Sequence, residues 1–363
     1  MEKRGRFRNL PEAAVTAGAA VDRLAQPFRR HHRLDYRLDA AHTDADLVWS
    51  KALPRGVADV YPPVSPGCVV PRERPQGTLW ACGYADAINR AAGDIVSVYV
   101  NTYHLAEFLD RVVPLVDRKL VLIVGDSDHA VPDDALAGVD GGWDFLDDQR
   151  IVALFAQNLA KPHPRALPFP IGLDFHAVHL GYMTWGMPAG QEPQSQEDDL
   201  LRLSRTATDW SERACQVLVR VNVASNPLER SACVEILRKL SACRFEPDAM
   251  PREALWQAMS QCRFVASPPG NGLDCHRTWE ALVLGAVPIV RRVPAMSPLF
   301  SDLPVWEVDD YDEVTDEALA AKSAMFGERI ARGDYDMDKL KIGWWRDHIR
   351  ETVARLAALP PEH

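Results

Sequence analysis

The run RFVASPPGNGLDCHRTWEALVLGAVPIV, residues 263–290, decides the fold. RFVAS (263–267) is a short apolar run that ends in a turn signal, which predicts a buried strand. The loop Pro268-Pro269-Gly270-Asn271-Gly272 follows. A helix is expected over Leu273–Leu284, beginning near Asp274, and AVPIV (286–290) reads as the next strand. Strand, helix, strand in this order is the unit of a parallel sheet. Gly270, Asn271 and Gly272 let the backbone approach a ligand closely, and the N–H groups at the helix start point at it, so the junction predicts an anion site. His276, Arg277 and Glu280 share one helix face. Arg277 can fork onto a diphosphate, and Glu280 can accept two ribose hydroxyls. The Arg277 and Glu280 side chains can equally pair with each other.

The pattern extends outward on both sides. CQVLVRVN (215–222), 243–246 and 263–267 read as strands, with helices expected over 226–240 and 251–260. In the first half, buried strands are expected at 46–49, 78–82, 95–100, 120–125 and 166–173, with helical spacing at 103–116 and 147–159. The stretch 50–75 is rich in proline and reads as loop. GMPAGQEPQSQEDD (186–199) reads as a linker. The domains expected are therefore 1–190 and 195–334, with a final helix at 335–360 packing back on the first. Together these features predict an α/β fold of two Rossmann-like domains with parallel sheets. Ligands of such sheets bind beyond the carboxyl ends of the strands, which here means a cleft between the halves.

Composition narrows the function classes. Hydrophobic residues make up 47% and charged residues 25% of 363, the balance of a globular chain. The net charge of −10 argues against a nucleic-acid binder without excluding one, since residues 1–37 carry nine Lys/Arg against four Asp/Glu. Residues 302–317 carry eight acids and no base and read as solvated surface. No apolar run is long enough to span a bilayer and the first residues lack the apolar core of a secretory signal, so the chain is read as cytoplasmic. Its seven cysteines contain no C-x-x-C pair, which fits reduced core thiols.

The motif S-P-P-G-N-G-x-D-x-H-R-x-W-E-A-L-x-L-G-x-x-P-I-V (267–290) resembles the exostosin-type glycosyltransferases. GDSD (125–128), FAQN (155–158) and PFPIGLDFH (168–176) extend the likeness more weakly. The resemblance implies a GT-B fold, with a nucleotide-diphosphate sugar (a UDP-sugar first among them) bound in the C-terminal domain. It implies sugar transfer to a hydroxyl acceptor with inversion at the anomeric carbon. No tightly bound cofactor is expected, and no divalent metal is required, because the glycine loop and Arg277 already provide a metal-free diphosphate site.

Other residues are expected near this cleft. Arg220, Asn222 and Arg230 surround the first strand of the second half, where they either close over the donor phosphates or serve as helix cap and surface. Asp126 and Asp128 end the strand KLVLIVG (119–125). Asp128, then Asp126, is the expected general base. The same D-x-D can also hold a divalent metal or make a turn. His104, Asp174 and His176 follow other strand ends and are expected on the acceptor side, with Asn158, Lys161 and His163 along the same edge. Three further readings stay open: a nucleotide-sugar epimerase, a metal-dependent D-x-D transferase, and a non-catalytic nucleotide-sugar or glycan-binding module.

Overall fold

A computed structural model of the chain describes residues 45–61, 78–139, 141–213, 215–247 and 250–358. The basic stretch 1–37 lies outside the described residues. All described residues belong to one compact unit. In the first half, helix α1 (Leu53–Val57) and helix α2 (Thr78–Arg90) precede strand β1 (Ile95–Asn101). Helix α3 (Leu105–Arg111), β2 (Lys119–Gly125), β3 (Ile151–Ala156), β4 (Ala166–Pro168), the short α4 (His176–His179) and α5 (Pro193–Arg205) follow. The second half runs β5 (Cys215–Val219), α6 (Pro227–Leu237), β6 (Cys243–Phe245), α7 (Arg252–Met259), β7 (Cys262–Ala266), α8 (His276–Val283) and β8 (Val287–Arg291). It continues with α9 (Ser297–Phe300), β9 (Trp306–Val308) and α10 (Asp316–Arg332), and α11 (Ile342–Ala357) closes the described chain.

The strands form two parallel sheets, ordered β1-β2-β3-β4 and β6-β5-β7-β8-β9. Parallel strands covered on both faces read as continuous apolar runs, as residues 120–124 of β2, 217–219 of β5 and 264–266 of β7 do. The expected two-sheet α/β architecture is therefore present. In the second sheet the strand order switches at β5, which has β6 on one side and β7 on the other. The loops after those two strands, Arg220–Asn222 and Ser267–Gly272, consequently border the crevice where such sheets bind ligands. Among the described residues, no helix is long and apolar enough to cross a membrane.

Four local expectations are corrected. Thr78–Cys82 is the first part of α2, not a strand, and burial of Tyr84, Ala85 and Ile88 follows the helical repeat. The helix expected at 147–159 is instead β3, whose IVALFA is nearly all buried between β2 and β4. Part of the stretch expected as loop at 50–75 is α1. The second half of the expected linker is the start of α5, where Gln196, Glu197, Leu200 and Leu203 are buried. The Glu197 carboxylate accepts the Asp46 and Leu47 N–H groups at 3.0 and 2.8 Å, so a polar stretch is packed through hydrogen bonds. The acids of 302–317 point outward almost throughout, while Leu303, Trp306, Val308, Tyr311 and Val314 are buried between them.

The apolar core does not stop at the junction of the halves. One cluster joins the first sheet, α11 and the inner face of the second sheet, including Leu218, Trp256, Val265 and Trp279. Helix α11 packs back on the first half, with Trp345 edge-on to Phe169 at 5.5 Å. A polar seam completes the junction. Asn158, at φ 51°, accepts the Asp274 N–H at 2.8 Å and donates to Ser127 O at 2.9 Å. Asp274 in turn accepts from Ile171 N at 2.9 Å, Cys275 N at 2.9 Å and Trp279 Nε1 at 3.0 Å. Burial pushes the Asp274 carboxyl up to about 6 against these three donors. Gly272 is required beside this seam, because a Cβ there would sit 2.9 Å from Asn158 Nδ2.

Asp274→Ala leaves the Ile171 N–H and the Trp279 indole without their acceptor, at about 1–3 kcal/mol each. Urea unfolding should therefore show a loss of about 3 kcal/mol. An unchanged midpoint would show that the seam contributes little.

Candidate functional site

A cleft of about 250 Å³ opens at the carboxyl ends of both sheets. The first half contributes Asp128, Ile171 and Asp174, and Trp185 reaches in from the connection to α5. The second half contributes Arg220, Asn222 and Arg230, Arg252, the loop 266–272, and His276, Arg277 and Glu280 of α8. Most of the residues expected from the sequence therefore meet at one place.

The glycine loop is built by Arg230. Its guanidinium donates to Pro269 O at 2.9 Å, Asn222 O at 2.9 Å, Pro268 O at 3.4 Å, Ser225 Oγ and Cys275 Sγ. All five N–H groups are thus spent on holding the loop, and Arg230 anchors it instead of reaching out as a lid. A Cβ at Gly270 would lie 2.7 Å from Arg230 Nη2, which explains the glycine. Asn222 and Asn226 are caps: Asn222 Oδ1 accepts from Ala224 N, and Asn226 Nδ2 donates to Gly270 O at 3.1 Å. Gly270 N–H is used within the loop, on Gly272 O at 3.0 Å. Among the described residues the N–H groups of Asn271 and Gly272 donate to nothing. With the first N–H groups of α8 they form a concave donor surface.

Glu280 is the hub of the charges. Its Oε1 accepts from Trp256 Nε1 at 2.9 Å and from Arg252 Nε and Nη2 at 3.3 and 3.2 Å. Its Oε2 has the looser Arg277 Nε contact, at 3.7 Å. Burial works against the Glu280 charge, but Arg277, Arg252 and the Trp256 indole outweigh it and hold the carboxyl below its usual range. One carboxylate thereby serves two arginines, while Arg230 has no carboxylate within ion-pair distance among the described residues. Arg252 Nη1 and Arg277 Nη1 are buried without a hydrogen-bond partner. The cleft carries an excess of cationic donors, the condition for binding an anion.

Arg252 was not anticipated from the sequence. The Arg252 guanidinium lies over the Trp185 and Trp256 rings, 4.9 Å from each centre, and Trp185 is held at φ 45°. One signal was available. Arg252 follows Pro251 at the start of α7, where a cation opposes the helix dipole and needs another reason to be there.

The first half is organised around Asp174. Its Oδ1 is 2.9 Å from His176 Nδ1 and accepts Ala177 N–H at 3.1 Å. Burial opposes the Asp174 charge, but the hydrogen-bonded His176 and, less strongly, Arg252 outweigh it and hold the carboxyl far below the usual carboxylate range. His176 stands behind Asp174, outside the cleft lining, and also meets Ser50 Oγ through the same Nδ1 at 3.1 Å. His276 Nδ1 donates to Gly172 O at 2.7 Å, and burial lowers its basicity. The ring is therefore neutral, with its lone pair on Nε2.

Two expected residues do not reach the cleft. Asp126 is 7% exposed, at φ 65°, and its carboxylate is taken by Lys51 and by Asn101 Nδ2 at 3.2 Å. It sits in the turn and does not line the cleft, unlike Asp128, whose side chain is exposed on the cleft wall. His104 pairs with Glu107 at 3.8 Å on α3, away from the cleft lining. Lys161 pairs with Asp133 at 2.6 Å, and His163 packs on Trp143, also outside the lining. No group of three or more metal-ligating side chains is poised for an ion among the described residues.

No family model and no curated protein matches the chain. Among solved structures, it is similar to an apo structure of OtsA at 15% identity and TM-score 0.39, covering 77% of each chain. It is similar to a structure from E. coli described as trehalose-6-phosphate bound with UDP-2-fluoro glucose, at 12% and 0.38, covering 78% of this chain and 77% of that one. A UDP-forming α,α-trehalose-phosphate synthase from Burkholderia xenovorans in complex with glucose-6-phosphate matches at 14% and 0.39, covering 76% of each. Likeness at this level leaves the chemistry to the cleft itself.

Glu280→Ala strands two buried arginines, at about 3–5 kcal/mol for such a broken pair. Denaturant unfolding should register that loss, and Glu280→Gln, which keeps an acceptor for Trp256 and Arg252, should lose about half as much or less. Equal losses would show that charge, not hydrogen bonding, dominates the cluster.

Proposed function

We propose that the chain is a glycosyltransferase that moves a sugar from a nucleoside-diphosphate sugar to a hydroxyl acceptor. The single observation that carries this reading is the convergence of Arg220, Arg230, Arg252 and Arg277 with the free N–H groups of the glycine loop on one cleft. The diphosphate lies on the start of α8, with Arg277 Nη1 and the Asn271 and Gly272 N–H groups as donors. Glu280 Oε2, the less occupied oxygen, faces the ribose hydroxyls. The donor is a UDP-sugar in the first instance, the acceptor a glycan, metabolite or modified macromolecule, and the arginines take the place of a divalent metal.

Asp128 is the base. It takes the proton of the acceptor hydroxyl, the acceptor oxygen forms its bond to the anomeric carbon, and the bond from that carbon to the phosphate oxygen breaks. The electron pair leaves on the nucleoside diphosphate, where preorganised cationic donors stabilise it, usually the largest catalytic contribution. Attack from the side opposite the leaving group inverts the anomeric centre.

Asp128→Asn should slow nucleoside-diphosphate release in the presence of acceptor by about 10²–10⁴-fold, while the donor dissociation constant stays within about twofold. Proton NMR of the product should show the anomeric configuration opposite to the donor's. Normal turnover of Asp128→Asn removes it as base. A retained configuration removes the direct displacement.

A further inference from the structure

The sugar end of the cleft differs in chemistry from the phosphate end. Asp174 Oδ1 is committed to His176 and to Ala177 N–H. Asp174 Oδ2 accepts from nothing among the described residues, and Asp174 lines the cleft. His276 also lines it, with Nδ1 spent on Gly172 O and the lone pair on Nε2. Arg252, 4% exposed, lies within electrostatic reach of Asp174 and keeps Nη1 unpartnered. The wall therefore offers two acceptors, Oδ2 and Nε2, and one donor, Nη1.

We infer that Asp174, His276 and Arg252 form the seat of the transferred sugar and select an uncharged sugar over a uronic acid. The inference rests on the nucleotide-sugar reading above. A hydroxyl can donate to Asp174 Oδ2 or His276 Nε2 and accept from Arg252 Nη1. A sugar carboxylate has no proton to give either acceptor, and it places like charge beside a carboxylate that His176 and Arg252 keep ionised. Arg252 Nε and Nη2 already pair with Glu280, at 3.3 and 3.2 Å, which leaves Nη1 as a single donor on this wall. The Arg252 guanidinium also lies over the Trp185 ring, 4.9 Å from its centre.

Binding calorimetry on the full chain tests this without requiring turnover. The probes are UDP, UDP-glucose and UDP-glucuronate, with GDP, GDP-mannose and GDP-mannuronate as a second matched set. The uncharged sugar of the set whose nucleoside diphosphate binds should bind at least about tenfold more tightly than its uronate partner, the scale of one unmade polar contact. Asp174→Asn, checked for an unchanged melting temperature, should reduce that ratio to about threefold or less with binding of the nucleoside diphosphate alone unchanged. If Asp174→Asn melts early, the wild-type ratio alone decides. Equal or tighter binding of the uronate, or an unchanged ratio in a folded Asp174→Asn, overturns the sugar assignment while the nucleotide reading stands. Failure of both UDP and GDP to bind overturns the nucleotide reading and this inference with it.

Discussion

The buried Asp274 carboxylate is the interaction on which the rest of the cleft depends. It sits one residue before the cap of α8 and accepts the N–H of Ile171, from the segment that follows β4. Its own N–H goes to Asn158 Oδ1, at the end of β3. Three strand ends, from two sheets, are thereby registered against one another. The loop that begins α8 can face Asp128 and Asp174 only because this seam holds them there. The shared apolar core sets the halves together, but apolar contact has no direction, and the hydrogen bonds supply the register.

The charges follow from that placement. Buried arginines are costly unless matched. Here Glu280 matches Arg252 and Arg277 jointly, while Arg230 is satisfied by carbonyl, hydroxyl and thiol acceptors that neutralise no charge. The result is a stable apo arrangement with unspent cationic capacity beside the free N–H groups of the glycine loop. On the opposite wall Asp174 and Asp128 present carboxylates, one ionised and partly committed, the other open to solvent. A ligand that is anionic at one end and polyhydroxylic at the other complements both walls.

Much of this was legible from local sequence, because local rules govern it. The strand, glycine loop and helix of 263–290 form where their pattern places them, and Arg277, Glu280 and Asp174 meet as expected. What the sequence hid was partnership at a distance. Asp126 and Asp128 look equivalent in the chain, yet Lys51, 75 residues away, claims Asp126 and leaves Asp128 in the cleft. Glu280 reads as a ribose ligand on its own helix, while Arg252 and Trp256 of α7 make it a structural hub as well. β3 and the beginning of α2 exchanged their expected identities because short apolar runs carry no usable periodicity. The start of α5 was missed because its burial is achieved through hydrogen bonds of polar side chains, Gln196 and Glu197 among them.

The most direct measurement of the central claim is thermal unfolding against UDP, GDP, ADP, TDP and CMP, each with and without EDTA. A ligand at 100 times its dissociation constant stabilises the folded chain by about 2.7 kcal/mol, a readable shift. The account predicts that one nucleoside diphosphate raises the melting temperature equally in both conditions. A shift that EDTA abolishes, or no shift with any nucleotide, would contradict it.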